Sequence, residues 1–243
     1  MITLAKLTRE RRALALLVLG FYTTIFTLAA INLGGAWFRC FLGLGVVYGL
    51  GFFSLAARWF WARWYAMGLG VSGITMAAIG IVQLGLDPGI LIWGGLHLII
   101  YLPLVGEAMA EMYEGQPAWR ERHGMDEHGV ERLKRAVGSA ATGLPTLIMY
   151  ALAPRQGSMA PLLILVLAGL GLYGLVRLRF WGVAALGLGG LCLFGAMALF
   201  IPVQIGPSAG VSFHQTLGLA AGGFLILSVV PFVGPAYRFL REG

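Results

Sequence analysis

The sequence predicts an all-α membrane protein of eight transmembrane helices, built as two parallel four-helix repeats with both termini cytosolic. Three observations carry this. Of 243 residues, 59% are apolar and only 11% charged, with a mean hydropathy of +0.85, whereas about a quarter of a soluble domain is charged. Apolar runs of about 20 residues, enough to cross ~30 Å of hydrocarbon as helix, tile most of the chain. Several short segments also recur in the same order in the two halves.

The runs cover about 13-33, 38-57, 64-85, 89-107, 137-154, 160-177, 180-202 and 211-236. None shows the period-two alternation of a membrane β-barrel strand. The first follows Lys6, Arg9, Arg11 and Arg12. This start resembles the positive region of a signal peptide, but no Ala-x-Ala cleavage pattern follows, so an uncleaved first helix is expected. Its Tyr22, Thr23, Thr24 and Thr27 are expected to satisfy the backbones of neighbouring helices. The second and third runs carry Gly43, Gly45, Gly49, Gly68, Gly70 and Gly73, and the sixth and seventh carry a similar set. Such glycines let membrane helices approach closely. These four helices are therefore expected to form the tight core. Trp37, Trp59, Trp61, Trp64 and Trp181 fall at run ends, where aromatic belts anchor in the headgroup zone.

The repeat is clearest at its end. Gly94-Gly95 through Glu114-Gly115 recurs without a gap as Gly222-Gly223 through Glu242-Gly243, with Pro103 matching Pro231 and Gly106 matching Gly234. Gly43-Leu-Gly45 with Tyr48-Gly-Leu50 recurs as Gly169-Leu-Gly171 with Tyr173-Gly-Leu175. Gly68-Leu-Gly70 recurs as Gly187-Leu-Gly189. The chain divides as a first repeat over 1-115, a cytosolic linker over 116-129 and a second repeat over 130-243. Four helices per half return the chain to its starting side. The halves are then expected to be related by a pseudo-two-fold axis along the membrane normal. Pro103 and Pro231 fall in the last turns of the fourth and eighth runs, where proline bends a helix, and are hinge candidates.

Loop charge orients the helices. Of 17 Lys and Arg, only Arg39 and Arg155 fall on the side opposite the N-terminus. The net charge of +7 then anchors the protein to an anionic inner leaflet, which makes the lipid bilayer its first partner and excludes nucleic acid. Fifteen arginines against Lys6 and Lys134 match GC-rich bacterial coding, which places the chain in a bacterial cytoplasmic (inner) membrane. Cys40 and Cys192 fall at different depths and are not expected to pair.

Candidate chemistry is sparse. No Asp, Glu, Lys or Arg falls in the middle of a run, which argues against proton-coupled antiport or pumping. His97 is the ionisable side chain nearest mid-membrane. It is read first as a buried histidine bonded to a neighbouring helix, then as a substrate contact, then as a metal or haem ligand. His214 on the eighth run is its natural haem partner. However, His97 aligns with Leu225, so His214 lies eleven residues, about 16 Å, nearer the outer face, and a shared iron is unfavourable. No cofactor is identified.

The linker region holds Glu107, Glu111, Glu114, Glu127 and Glu131, with His123 and His128. Glu107, Glu111 and Glu114 share one helix face, as do His123, Glu127 and Glu131. A salt-bridged surface, with Glu131 on Arg135, is the first reading. Docking of a membrane or cytosolic protein partner is the second, and a divalent-metal site the third. No nucleophile elbow, Walker loop, His-Glu-x-x-His or Cys-x-x-Cys is present. Function is therefore expected to be that of a non-catalytic subunit or scaffold of a larger membrane complex. The alternatives are a carrier or channel for a small or lipophilic molecule and, third, a membrane-embedded enzyme or cofactor protein.

Overall fold

The computed structural model describes residues 4–115, 121, 126–152, 160–199 and 213–242. Helix accounts for 91% of it and strand for none. The helices are α1 (Leu4–Leu33), α2 (Phe38–Ala56), α3 (Ala62–Leu84), α4 (Pro88–Tyr101), α5 (Glu107–Glu114), α6 (Glu127–Leu152), α7 (Ala160–Val176), α8 (Phe180–Leu199), α9 (Phe213–Leu227) and α10 (Val230–Glu242). Among the described residues five stretches are long and apolar enough to cross a membrane: Leu7–Leu33, Phe38–Ala56, Ala62–Leu84, Phe180–Ala198 and Gln215–Pro235. A sixth arises if α4 with its 3-10 turn and α5, bent by 74°, count together. These helices mark a multi-pass membrane protein. Leu17, Val46, Phe53, Leu163 and Leu191 stand exposed on their outer faces, as a lipid-facing surface requires.

Local sequence explains the ends. Asp87 caps α4, its Oδ1 accepting from the amides of Gly89 (2.8 Å) and Ile90 (3.3 Å), with Pro88 in the first turn. An N-cap acid followed by proline is a strong helix start. Gly106, at φ 108°, makes the bend before α5, in a backbone region that side chains disfavour. Pro103 lies in the 3-10 turn Leu102–Leu104 just ahead of that bend. Pro231 is the second residue of α10, just after the break between α9 and α10. Both hinge candidates thus stand beside helix breaks.

Within each half the helices close into a ring of the same order. In the first half α1 packs on α2, α2 on α3, α3 on α4 and α4 on α1. In the second, α6 packs on α7, α7 on α8, α8 on α9 and α9 on α6. The halves meet where α6 lies against α3 and α2, with α9 also touching α3. A two-fold axis would require α1 to lie on α8 as α6 lies on α3. That pair is not among the packed helices of the described residues, so the halves meet head to tail.

One turn is duplicated in detail. After α2, the amides of Ala57, Arg58 and Trp59 donate to the carbonyls of Phe53, Leu55 and Ser54. After α7, those of Arg177, Leu178 and Arg179 donate to Tyr173, Leu175 and Gly174. Among the described residues Arg58 (φ 55°) and Leu178 (φ 57°) are the positive-φ residues other than glycine, a rare state for bulky side chains. Phe-Trp follows in both, at 60–61 and 180–181. The turns are offset by 120 residues (177 − 57), whereas Gly43 and Gly169 are offset by 126 (169 − 43). That glycine pair therefore departs from the register of the turn by six residues (126 − 120). The Gly68/Gly187 pair, at 119 (187 − 68), agrees within one residue.

The centre of the bundle is α6, which the hydropathy pattern ranks low. Ala136, Val137, Ala140, Ala141, Thr142, Gly143, Leu144, Pro145, Thr146 and Leu147 are all buried. Small residues let α6 lie close to its neighbours: a Cβ added at Gly68 of α3 would come within 2.4 Å of the Gly138 carbonyl oxygen. The tight core is thus α3 with α6, where glycine counting favours α2, α3, α7 and α8. A helix surrounded by protein needs small residues more than apolar ones.

Candidate functional site

Four helices converge on His97. Its ring is fully buried and meets Tyr22 of α1, Tyr48 of α2, Gly73 of α3 and Trp93 of its own helix. The Tyr48 hydroxyl lies 2.7 Å from Nε2. Nδ1 faces the Trp93 carbonyl at 2.8 Å and the Tyr22 hydroxyl at 3.1 Å. A carbonyl that close to an unprotonated nitrogen would set two lone pairs against each other. The neutral tautomer carrying its proton on Nδ1 removes this conflict. In that tautomer Nδ1–H donates to the Trp93 carbonyl, and Nε2 accepts from Tyr48. The Tyr22, Tyr48 and Trp93 rings enclose the imidazole, and Phe26 packs behind all three. On the remaining side Gly73 admits it: a Cβ there would fall 2.0 Å from the imidazole Cγ. Both ring nitrogens are engaged within the protein, so a metal or haem ligand at Nε2 would first have to displace Tyr48. Thr23 and Thr27 donate to their own helix, to the carbonyls of Leu19 (2.8 Å) and Thr23 (2.7 Å); of the expected cross-helix partners on α1, Tyr22 reaches His97.

A second cluster closes the end of the first half at which α1 begins. α5 folds back across it, burying Met109 and Tyr113. Glu114 forms an ion pair with Arg63 and accepts from Trp64 Nε1 at 2.7 Å. Arg63 Nε donates to the Leu104 carbonyl at 2.8 Å, and Tyr113 donates to the Leu55 carbonyl at 3.1 Å. Arg11 donates to the Val105 carbonyl, and Arg12 to that of Leu55 at 3.2 Å. Trp61 and Trp64 are buried beneath this cover rather than standing in the headgroup belt. Trp37, Trp59 and Trp181 are about half exposed, as belt residues are.

The linker candidates separate accordingly. Glu114 turns inward to Arg63, while Glu107 and Glu111 stay exposed. Glu127 and His128, at the start of α6, are also exposed. Glu131 pairs with Arg135 (3.1 Å) and with Lys134 (3.2 Å). Burial pushes its carboxyl upward, but hydrogen bonds and charge from Lys134 and Arg135 outweigh this and hold it below its ordinary value. His123 lies outside the described residues. His214 belongs to α9, but its side chain lies outside them too. Among the described residues no three of His, Cys, Asp and Glu gather as a metal set.

A third feature lies where the halves meet and was not read from the sequence. Ser72 and Thr75 of α3, Thr142 and Thr146 of α6, and Leu217, Ala221 and Phe224 of α9 line a cavity of about 10 Å³. Gly73, next to Ser72, packs on His97, so this cavity sits at the depth of His97 on the other side of α3. Toward the opposite end of α3, Gln83 Nε2 donates to Thr216 Oγ1 of α9 at 2.7 Å. Spacing could have found the α3 and α6 part: Ser72 with Thr75 and Thr142 with Thr146 each repeat at a helical interval.

No family model, curated protein or solved structure matches this chain.

Proposed function

We propose that the chain is a non-catalytic integral subunit or scaffold of a larger membrane complex. The observation that carries this reading is the His97 node. Buried His97 has both nitrogens bonded to other helices or to its own backbone, so it binds the first half together. The exposed acids Glu107, Glu111 and Glu127, with His128, form the surface for docking a protein partner at the cytosolic face. The finer architecture belongs to the same proposal: eight spans in two parallel four-helix repeats, both termini cytosolic, in a bacterial inner membrane. Support comes from the matching ring order, the duplicated turn and the loop bias of Lys and Arg.

Native mass spectrometry of the protein, gently extracted from its own membrane, tests this. A second polypeptide above 26.0 kDa is expected. A lone, monodisperse chain that is stable by itself would refute it.

One observation favours a second reading, a carrier or channel for a small molecule: the hydroxyl-lined cavity between the halves at the depth of His97. Reconstituted vesicles that flux a small neutral solute only when the protein is present would transfer the weight to it.

A further inference from the structure

We propose that the junction of α3, α6 and α9 is a binding site for one water-sized, uncharged molecule, water itself, bridging the two halves at mid-membrane. The Ser72 hydroxyl carries the argument. It is 2% exposed and its Oγ has no hydrogen-bond partner among the described residues. A serine in a membrane helix ordinarily returns its proton to the carbonyl four residues back. For Ser72 that carbonyl belongs to Gly68, yet Ser72 Oγ makes no bond to it. Thr142 reaches across from the other half and crowds that carbonyl, its single proton shared between Gly68 (3.1 Å) and its own Gly138 carbonyl (2.9 Å).

Ser72 opens instead onto the cavity it shares with Thr75, Thr142 and Thr146. At about 10 Å³ the space is near the smallest that admits a water, which also needs two to four polar partners. The partners are complementary. Ser72 has a free proton to donate. Thr142 directs its proton at the Gly68 and Gly138 carbonyls (3.1 and 2.9 Å) and keeps lone pairs to accept. Water takes the first and supplies the second, with Thr75 and Thr146 completing the lining. An ion is disfavoured, because no charged side chain lines the space. The halves are thereby joined in part through an exchangeable molecule. The site rests on Ser72 and its cavity alone, and stands whether the chain is a subunit or a carrier.

Single-particle microscopy of the full chain, at a resolution that shows ordered water, should find one density within hydrogen-bond distance of Ser72 Oγ. An empty cavity at that resolution overturns the proposal. Thermal unfolding in mild detergent tests it separately through the sign of the change. Ser72→Val evicts the water and strands its partners, and should lower Tm by roughly 2–4 °C. A dry cavity gives the reverse: valine would fill empty space and remove an unsatisfied hydroxyl, so an unchanged or higher Tm overturns the proposal. Should the valine variant not fold, Ser72→Ala reads the same sign.

Discussion

Replacing Tyr48 by phenylalanine should destabilise the protein far more than the same change at Tyr22, although both hydroxyls touch one imidazole. Tyr48 is the partner of Nε2, at 2.7 Å, on a ring with no exposure. Its loss leaves a buried acceptor that no water can reach. Tyr22 shares Nδ1 with the Trp93 carbonyl, so its loss leaves that nitrogen bonded. A cross-helix hydrogen bond in a membrane contributes about 0.6 kcal/mol on average and at most ~1.7, while stranding a buried polar group costs about 1–3 kcal/mol. Tyr48→Phe should therefore cost about 1.5–3 kcal/mol and Tyr22→Phe about 0.5. At ~2–4 °C per kcal/mol for a chain of this size, the Tm falls by about 3–12 °C in one case and by about 1–2 °C in the other. Thermal unfolding in mild detergent, with the folded fraction read by size-exclusion chromatography, resolves that gap. In a His97→Leu background both phenylalanine changes should become nearly silent, because coupled residues lose their shared term together. Equal losses, or Tyr22→Phe the costlier, would refute the tautomer and the division of roles.

Gly68→Val should separate α3 from α6, since even a Cβ would meet the Gly138 carbonyl oxygen at 2.4 Å. Overpacking costs about 1–3 kcal/mol, and backbone cannot move aside as a side-chain tip can, so loss of folded yield is expected; wild-type yield would contradict the crossing. Arg63→Ala should release α5, because breaking a buried ion pair costs about 3–5 kcal/mol, and faster proteolysis after Gly106 with the remaining helices intact would report it. The pairing of Glu131 with Lys134 and Arg135 sets a weak acid sensitivity. With the folded carboxyl below its ordinary value, its stabilisation is full above that value and is lost as pH falls through the folded one. The pair is surface-exposed and so contributes at most ~1 kcal/mol. Glu131→Gln should shift Tm slightly at neutral pH and leave it unshifted at strongly acid pH; a larger shift in acid would reverse the sign argued here.

Much of this molecule was legible in the sequence because the bilayer imposes simple rules. Apolar length marks α1, α2, α3 and α8. The placement of His97 as a buried, hydrogen-bonded residue also followed, since a lone polar ring in hydrocarbon has few other options. What escaped was packing. Nothing local says that Trp64 would donate to Glu114, fifty residues on (114 − 64), because that contact exists only after Gly106 turns α5 back. The Gly43 and Gly169 pair also stands out of register with the duplicated turn. Gly-Leu repeats are common in membrane helices and fix no register, whereas a left-handed residue in a turn does. The Ser72 cavity needed two helices from different halves, and no single-chain periodicity pairs them.

The composition of α6 has a consequence for how the protein is made. A segment rich in Gly, Ser, Thr and Ala, opening with Glu131, Arg132, Lys134 and Arg135, partitions poorly into lipid when offered to it alone. Its stable place in the membrane is the groove between α2 and α3. If α6 spans the membrane, as the eight-helix reading proposes, its insertion is expected to depend on an amino-terminal half that already stands in the bilayer as its receptor. The later helices follow it in. Displacing α3 is then expected to cost more than one helix, because α6 loses the surface it packs on and α9 loses its contact with the first half.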